Sequence, residues 1–145
     1  MQTGDFSKKL FPLSTKSTKA TVLVVDDEQP IRELCSRILK QAGFNVELAK
    51  SGDEAWALLS KKRYDLVLTD LRMPGELSAT DLVSMIRKEW PSTDVIIMTG
   101  YPMQDITISR LRKYIFDYLM KPFDTYTMLD AVRGCLNPFS HQNPA

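Results

Sequence analysis

The sequence predicts an α/β fold: a doubly wound sheet of five parallel strands with helices on both faces. Three observations carry this. Short β-branched and aliphatic runs alternate five times with stretches whose apolar residues recur at helical spacing. The first run, Thr21–Val25, is continuously β-branched and aliphatic, as a strand buried on both faces is. Four of the five end at once in a polar or charged residue: Asp26-Asp27, Asp70, Thr99 and Lys121.

Taken in order, Thr21-Val22-Leu23-Val24-Val25 is the first strand. Pro30 suits the first turn of a helix, and Ile31, Leu34, Cys35, Ile38 and Leu39 then fall on one stripe. Gly43 is placed to stop that helix. Val46-Glu47-Leu48-Ala49 is a more polar strand, expected near an edge. Ser51 and Glu54 have the spacing of a capping box, and Ala55, Leu58 and Leu59 face inward. Leu66-Val67-Leu68-Thr69 is the third strand. Leu82, Met85 and Ile86 mark a helix that stops before Pro91. Val95-Ile96-Ile97-Met98 is the fourth strand, and residues 103–113 read as a weakly amphipathic helix. Phe116-Asp117-Tyr118-Leu119-Met120 is the fifth strand, ended by Lys121-Pro122. Met128, Leu129, Val132 and Leu136 mark the last helix, closed by Asn137-Pro138. The expected organisation is one domain over 21–137, a Ser-, Thr- and Lys-rich N-terminal tail over 1–20, and a C-terminal tail over 138–145.

Composition narrows the function classes. The chain has 145 residues and a formal net charge of +1, so bulk electrostatics draw it neither to nucleic acid nor to a membrane. No apolar run approaches transmembrane length and the N-terminus lacks a secretory apolar stretch, so the cytoplasm is expected. Cys35 and Cys135 lack metal-ligand spacing and read as buried thiols.

A lone Asp after a strand reads most simply as a turn or cap residue. Here the fold brings the ends of strands one, three, four and five side by side, where open α/β sheets bind ligands. Three carboxylates brought together resist ionising. A hard divalent cation relieves the repulsion, and few carboxylates plus water is the habit of Mg²⁺. Lys121 adds positive charge for a carboxylate or a phosphoryl oxygen, and Thr99 adds a hydroxyl. Asp70 is then a candidate nucleophile for acyl-phosphate chemistry, which needs positioning and charge neutralisation more than an acid–base group. The single histidine, His141, lies in the tail and is expected to be inert.

At these residues the sequence resembles the receiver domains of bacterial two-component response regulators, over roughly residues 21–137. The resemblance rests on Val-Val-Asp26-Asp27-Glu28, Asp70-Leu-Arg-Met-Pro74-Gly75, Met-Thr99-Gly100 and Asp-Tyr118-Leu-Met-Lys121-Pro122-Phe123, in that order at the strand ends. It implies a flavodoxin-like (βα)5 fold and a phosphorylation-activated switch rather than a turnover enzyme. By the resemblance, Asp70 accepts the phosphoryl group from a histidine kinase, a phosphotransfer protein or acetyl phosphate. Asp27, Asp70 and the backbone carbonyl of Arg72 would hold Mg²⁺, with Asp26 reaching it directly or through water. Lys121 and Thr99 would bind phosphoryl oxygens, Gly100 would leave the phosphate accessible, and the Lys121–Pro122 bond would be cis. Tyr118 matches a switch aromatic that turns inward when Thr99 moves.

The resemblance also implies partners: a kinase or phosphotransfer protein, then a downstream protein effector or an output domain outside this chain. After residue 137 no length is left for a helix-turn-helix or ATPase module, so direct nucleic-acid binding is not expected. A monomer or a phosphorylation-linked dimer fits. Three features depart from the pattern: Glu76-Leu77-Ser78 lacks a second glycine, the bulky Lys113-Tyr114-Ile115 precedes strand five, and Arg72 and Tyr101 flank the site. The rival readings are a dehalogenase-type phosphatase, which needs an Asp where Arg72 stands, and a pseudo-receiver that binds partners without phosphorylation.

Overall fold

Each predicted strand becomes a strand of one sheet. The structure, a computed structural model, describes residues 19–73, 75–100 and 106–137. The strands are β1 (Thr21–Val25), β2 (Asn45–Ala49), β3 (Leu66–Asp70), β4 (Asp94–Thr99) and β5 (Asp117–Met120). All pair in parallel, in the order β2-β1-β3-β4-β5. The helices are α1 (Gln29–Gln41), α2 (Gly52–Leu59), α3 (Ala79–Glu89), α4 (Ile106–Leu111) and α5 (Thr125–Leu136).

The side-chain alternation of each strand divides the core in two. Leu23, Val25, Val67, Val95 and Ile97 face one cluster, closed by Ala55 and Leu59 of α2, Leu82, Val83 and Ile86 of α3, and Ile108 and Leu111 of α4. Val22, Val24, Leu66, Leu68, Ile96 and Met98 face the other, closed by Cys35, Ile38 and Leu39 of α1 and Met128, Val132 and Cys135 of α5. β3 is buried along its whole length and β4 almost so, hence their unbroken apolar sequences. β2 and β5 are the edges, hence their more polar ones. The edge position expected for β2 from its composition is the one observed.

Local chemistry sets the helix ends. α1 closes with Gly43 at φ +100°; the Phe44 N–H donates to the Leu39 carbonyl and the Gly43 N–H to the Lys40 carbonyl, both at 3.0 Å. That is the paired arrangement in which glycine avoids a Cβ penalty. At α2 the Ser51 hydroxyl accepts from the Glu54 N–H as expected, at 3.1 Å. The Glu54 carboxylate, however, accepts from the Lys50 N–H at 2.7 Å, so only half of the anticipated box forms. A full capping box instead starts α3, between Ser78 and Asp81.

Two further boundaries differ from the periodicity. The fourth helix is a short α4 followed by a 3-10 turn over Arg112–Tyr114; its expected start falls at 103–105, outside the described residues. β5 starts at Asp117, one residue later than expected; the Phe116 side chain is 41% exposed, although its N–H still donates to the Val95 carbonyl at 2.8 Å. Met85 is half-buried, and Val83 takes the fully buried place beside Leu82 and Ile86. Both cysteines are buried and unbridged. Burial, with the Asp26 charge nearby, pushes the Cys35 thiol up to about 12. Cys135 is pushed up as well, by burial and then by the Asp94 carboxylate. Residues 1–18 of the N-terminal tail, the C-terminal tail with His141, and Pro74 and Tyr101 lie outside the described residues.

Candidate functional site: an acidic cluster at the carboxyl edge of the sheet

The register brings the predicted residues to one edge. Val25 pairs with Thr69 and Asp70 with Met98, so Asp26, Asp70 and Thr99 follow one another across β1, β3 and β4. Thr99 pairs with Met120, which puts Lys121 at the end of β5 beside them. The Lys121 N–H donates to the Thr99 carbonyl at 2.7 Å, and Lys121–Pro122 is cis, as the resemblance implied.

One carboxylate oxygen from each of Asp26, Asp27 and Asp70 lies within 4.8 Å of the other two. Their settings differ. Asp26 is fully buried and Asp70 nearly so, whereas Asp27 is exposed. Asp26 is held at both carboxylate oxygens: Oδ1 accepts from the Glu28 N–H at 2.8 Å and Oδ2 from Lys121 Nζ at 2.9 Å. Lys121 Nζ also stands 3.4 Å from Asp70 Oδ2 and 3.7 Å from Glu28 Oε1. One ammonium thus serves three carboxylates.

The electrostatics follow from burial and proximity. Burial, then the Asp26 charge, raises the pKa of Asp70; the Lys121 charge and the Arg72 N–H, 3.4 Å from Asp70 Oδ1, oppose the rise. Burial works against the charge of Lys121, but the Asp26 and Asp70 carboxylates outweigh it and its pKa is raised. A raised carboxyl pKa beside other carboxylates marks a place where a further cation would be welcome. Three clustered carboxylate oxygens are hard ligands, so the donor set fits Mg²⁺.

The remaining predicted residues stand around this cluster. Thr99 is buried at the end of β4. Gly100 follows it, and a Cβ built there meets nothing within 4 Å, so packing does not demand glycine and the space beside Thr99 is open. Arg72 is exposed and lies two residues after Asp70, beyond the end of β3. Tyr118 is half-buried at the margin of the core, with the Arg112 guanidinium carbon 5.3 Å from its ring centroid. Two site residues went unassigned in the sequence. Glu28 flanks Lys121, and Arg32 Nη1 donates to the Asp26 carbonyl at 2.7 Å. Glu28 belongs to the motif after the first strand, though with no role assigned, and the sequence signal of Arg32 is that it follows Glu28 by one helical turn.

The sequence profile of the response regulator receiver domain matches residues 22–133. The chain belongs to that family. Among relatives of the receiver is the DNA-binding transcriptional regulator NtrC of Salmonella typhimurium, 35% identical over 124 residues, covering 86% of this chain and 26% of NtrC. Another is the response regulator PilR of Pseudomonas aeruginosa, 35% identical over 130 residues, covering 88% of this chain and 29% of PilR. The receiver therefore spans about a quarter of the length of the curated relatives it matches. Solved structures agree on the fold. A receiver domain from Clostridium thermocellum superposes with a TM-score of 0.75 at 31% identity, covering 86% of this chain and 99% of that one. The Thermotoga maritima response regulator TrrA, solved in complex with Mg²⁺ and BeF, superposes with a TM-score of 0.70 at 30% identity, covering 80% of this chain and 98% of that one. Among the described residues no helix is long and apolar enough to cross a membrane.

Proposed function

We propose that this receiver is a Mg²⁺-dependent switch phosphorylated on Asp70. The observation that carries the reading is the position of the Asp70 carboxylate: it clusters with those of Asp26 and Asp27 and stands 3.4 Å from the Lys121 ammonium, which also bonds Asp26. An Asp70 oxygen attacks the phosphorus of a phosphohistidine, on a histidine kinase or a phosphotransfer protein, or of acetyl phosphate. The new O–P bond forms as the donor's N–P or O–P bond breaks, and the donor keeps the electron pair. Hydrolysis by water later returns Asp70 and inorganic phosphate.

Asp27, Asp70 and the Arg72 carbonyl would hold Mg²⁺, with Asp26 reaching it directly or through water, and the bound ion would supply charge neutralisation at the phosphoryl oxygens. Lys121 exchanges its Asp70 partner for a phosphoryl oxygen. The Thr99 hydroxyl donates to another, the smallness of Gly100 leaves room for it, and Tyr118 turns into the space Thr99 vacates. These contacts exist only with the phosphoryl group present, so they shift a pre-existing equilibrium. The surface that changes is that of α4, β5 and α5. There Tyr114, Phe116, Met120 and Tyr126 are exposed, and a downstream effector, an output domain or a second receiver would read them. The reaction belongs to the cytoplasm, where kinase and phosphoryl donors are at hand.

The deciding experiment is intact mass after incubation with acetyl phosphate and Mg²⁺, beside Asp70→Asn. One added phosphoryl mass in the parent alone, abolished by EDTA, is expected. If a phosphorylated kinase and beryllofluoride also leave the parent unchanged, the chain is a pseudo-receiver.

A further inference from the structure

We propose that Arg32 is a positioning residue of the phosphorylation site: it pins the peptide unit between Asp26 and Asp27 and so sets where the Asp27 carboxylate stands beside Asp70. This rests on the Mg²⁺-dependent reading above.

The two acids at the end of β1 are held in different ways. Asp26 is fixed from several directions: its N–H donates to the Ala49 carbonyl at 3.1 Å, and its carboxylate accepts from Glu28 and Lys121. Asp27 is exposed, and its place depends on the backbone that carries it. That backbone leaves the sheet here, since β1 ends at Val25. The Asp26 carbonyl therefore lies beyond the β1 ladder, and a half-buried side chain from the first turn of α1 supplies its donor, Arg32 Nη1 at 2.7 Å. A peptide unit is planar, so fixing the direction of its carbonyl fixes the rotation of the whole unit. The Cα of Asp27 is the far end of that unit. Arg32 thereby determines the direction from which the Asp27 side chain approaches Asp70.

Arginine suits the task better than lysine. Its planar fork holds a donor in one direction, and its charge persists at every pH the protein meets. That charge, on a guanidinium bonded to the Asp26 carbonyl, also favours nearby carboxylates, but it repels a metal ion. The positioning role therefore makes a prediction opposite to a simple charge effect: removing the guanidinium weakens Mg²⁺ binding instead of strengthening it.

The test is Mg²⁺ titration by calorimetry of the full chain, for parent, Arg32→Met and Arg32→Lys, with thermal midpoints and backbone amide NMR shifts of the metal-free proteins. Arg32→Met keeps the apolar stem and removes the donor. We expect its Mg²⁺ dissociation constant to rise about tenfold, the low end for loss of a group that orients a metal ligand. Arg32→Lys should recover part of that loss, and the metal-free amide shifts should move at residues 26–28. Parent-like or tighter Mg²⁺ binding by Arg32→Met overturns the proposal, as do unmoved amides at 26–28. Equal weakening in both variants, with equal falls in thermal midpoint, assigns Arg32 a purely structural role and overturns it too. If Arg32→Met does not fold, Arg32→Lys decides alone: binding weaker than the parent with shifts confined to 26–28 supports the proposal, and parent-like binding overturns it. A parent that takes up no Mg²⁺ overturns this inference together with the proposed function, an outcome distinct from all the others.

Discussion

Lys121 and Asp26, 95 residues apart in sequence, form an ion pair of 2.9 Å in which the carboxylate is wholly buried. A buried carboxylate without a partner costs far more than an exposed one. Lys121→Met leaves Asp26 beside Asp70 and Asp27 with no ammonium between them. We expect a loss of roughly 1–3 kcal/mol in chemical denaturation without Mg²⁺, and partial recovery when Mg²⁺ is added. Equal stability of parent and variant in EDTA would show that the pair is energetically idle.

Asp70 responds to pH in the opposite sense to a paired carboxylate. Its folded-state pKa lies above the unfolded value, through burial and then the Asp26 charge. The folded state therefore binds the Asp70 proton more tightly, and this group's contribution to stability rises as pH falls through the folded pKa and levels off below the unfolded one. At neutral pH the ionised Asp70 is a liability. Asp70→Asn should raise the thermal midpoint at pH 7 in EDTA, and the gain should shrink towards pH 4. Scanning calorimetry at both values checks it; a gain that grows on acidification contradicts the sign.

Mg²⁺ should raise the thermal midpoint of the parent and, by much less, that of Asp27→Asn, because only the parent keeps all three carboxylates. EDTA should erase the difference contributed by the metal. Ligand linkage gives about 2.7 kcal/mol at a hundredfold excess over the dissociation constant, well within reach of a melting curve.

Gly52 opens α2 where the loop after Asp70 folds back on it. A Cβ at Gly52 would lie 2.3 Å from the Leu77 carbonyl oxygen, a backbone atom. Gly52→Ala should cost about 1–3 kcal/mol, the usual range for overpacking, in urea denaturation. Labelling by acetyl phosphate should persist at temperatures where the variant is folded. The same contact describes the path of Glu76-Leu77-Ser78, where the sequence lacks a second glycine.

Thr99→Ala separates phosphorylation from switching. The variant should still gain a phosphoryl group from acetyl phosphate, more slowly, while amide shifts around Tyr118 stay close to those of the unphosphorylated parent. Full parent-like shifts in phosphorylated Thr99→Ala would remove Thr99 from the switch.

Sequence alone determined the five strands, the five helices and the residues that end the strands, because these are local. Residues 66–68 of β3 and 95–98 of β4 are unbroken apolar runs because both faces of these strands are covered, and the more polar run 46–49 is an edge. The family was legible for the same reason: its motifs are short and sit at strand ends. What is not local was not legible. Glu54 has the spacing of a capping box, yet its carboxylate bonds the Lys50 N–H one residue earlier. The fourth helix gives way to a 3-10 turn at Arg112, an outcome its weak apolar period could not specify. Arg32 looked like any polar residue of a helix, and only the turn between β1 and α1 carries its guanidinium to the Asp26 carbonyl. The difference between the two adjacent acids, one buried and one exposed, also came only with the fold. A hydrogen bond or a desolvated charge depends on distance and on what else fills the space, and neither is written in the order of residues along one chain.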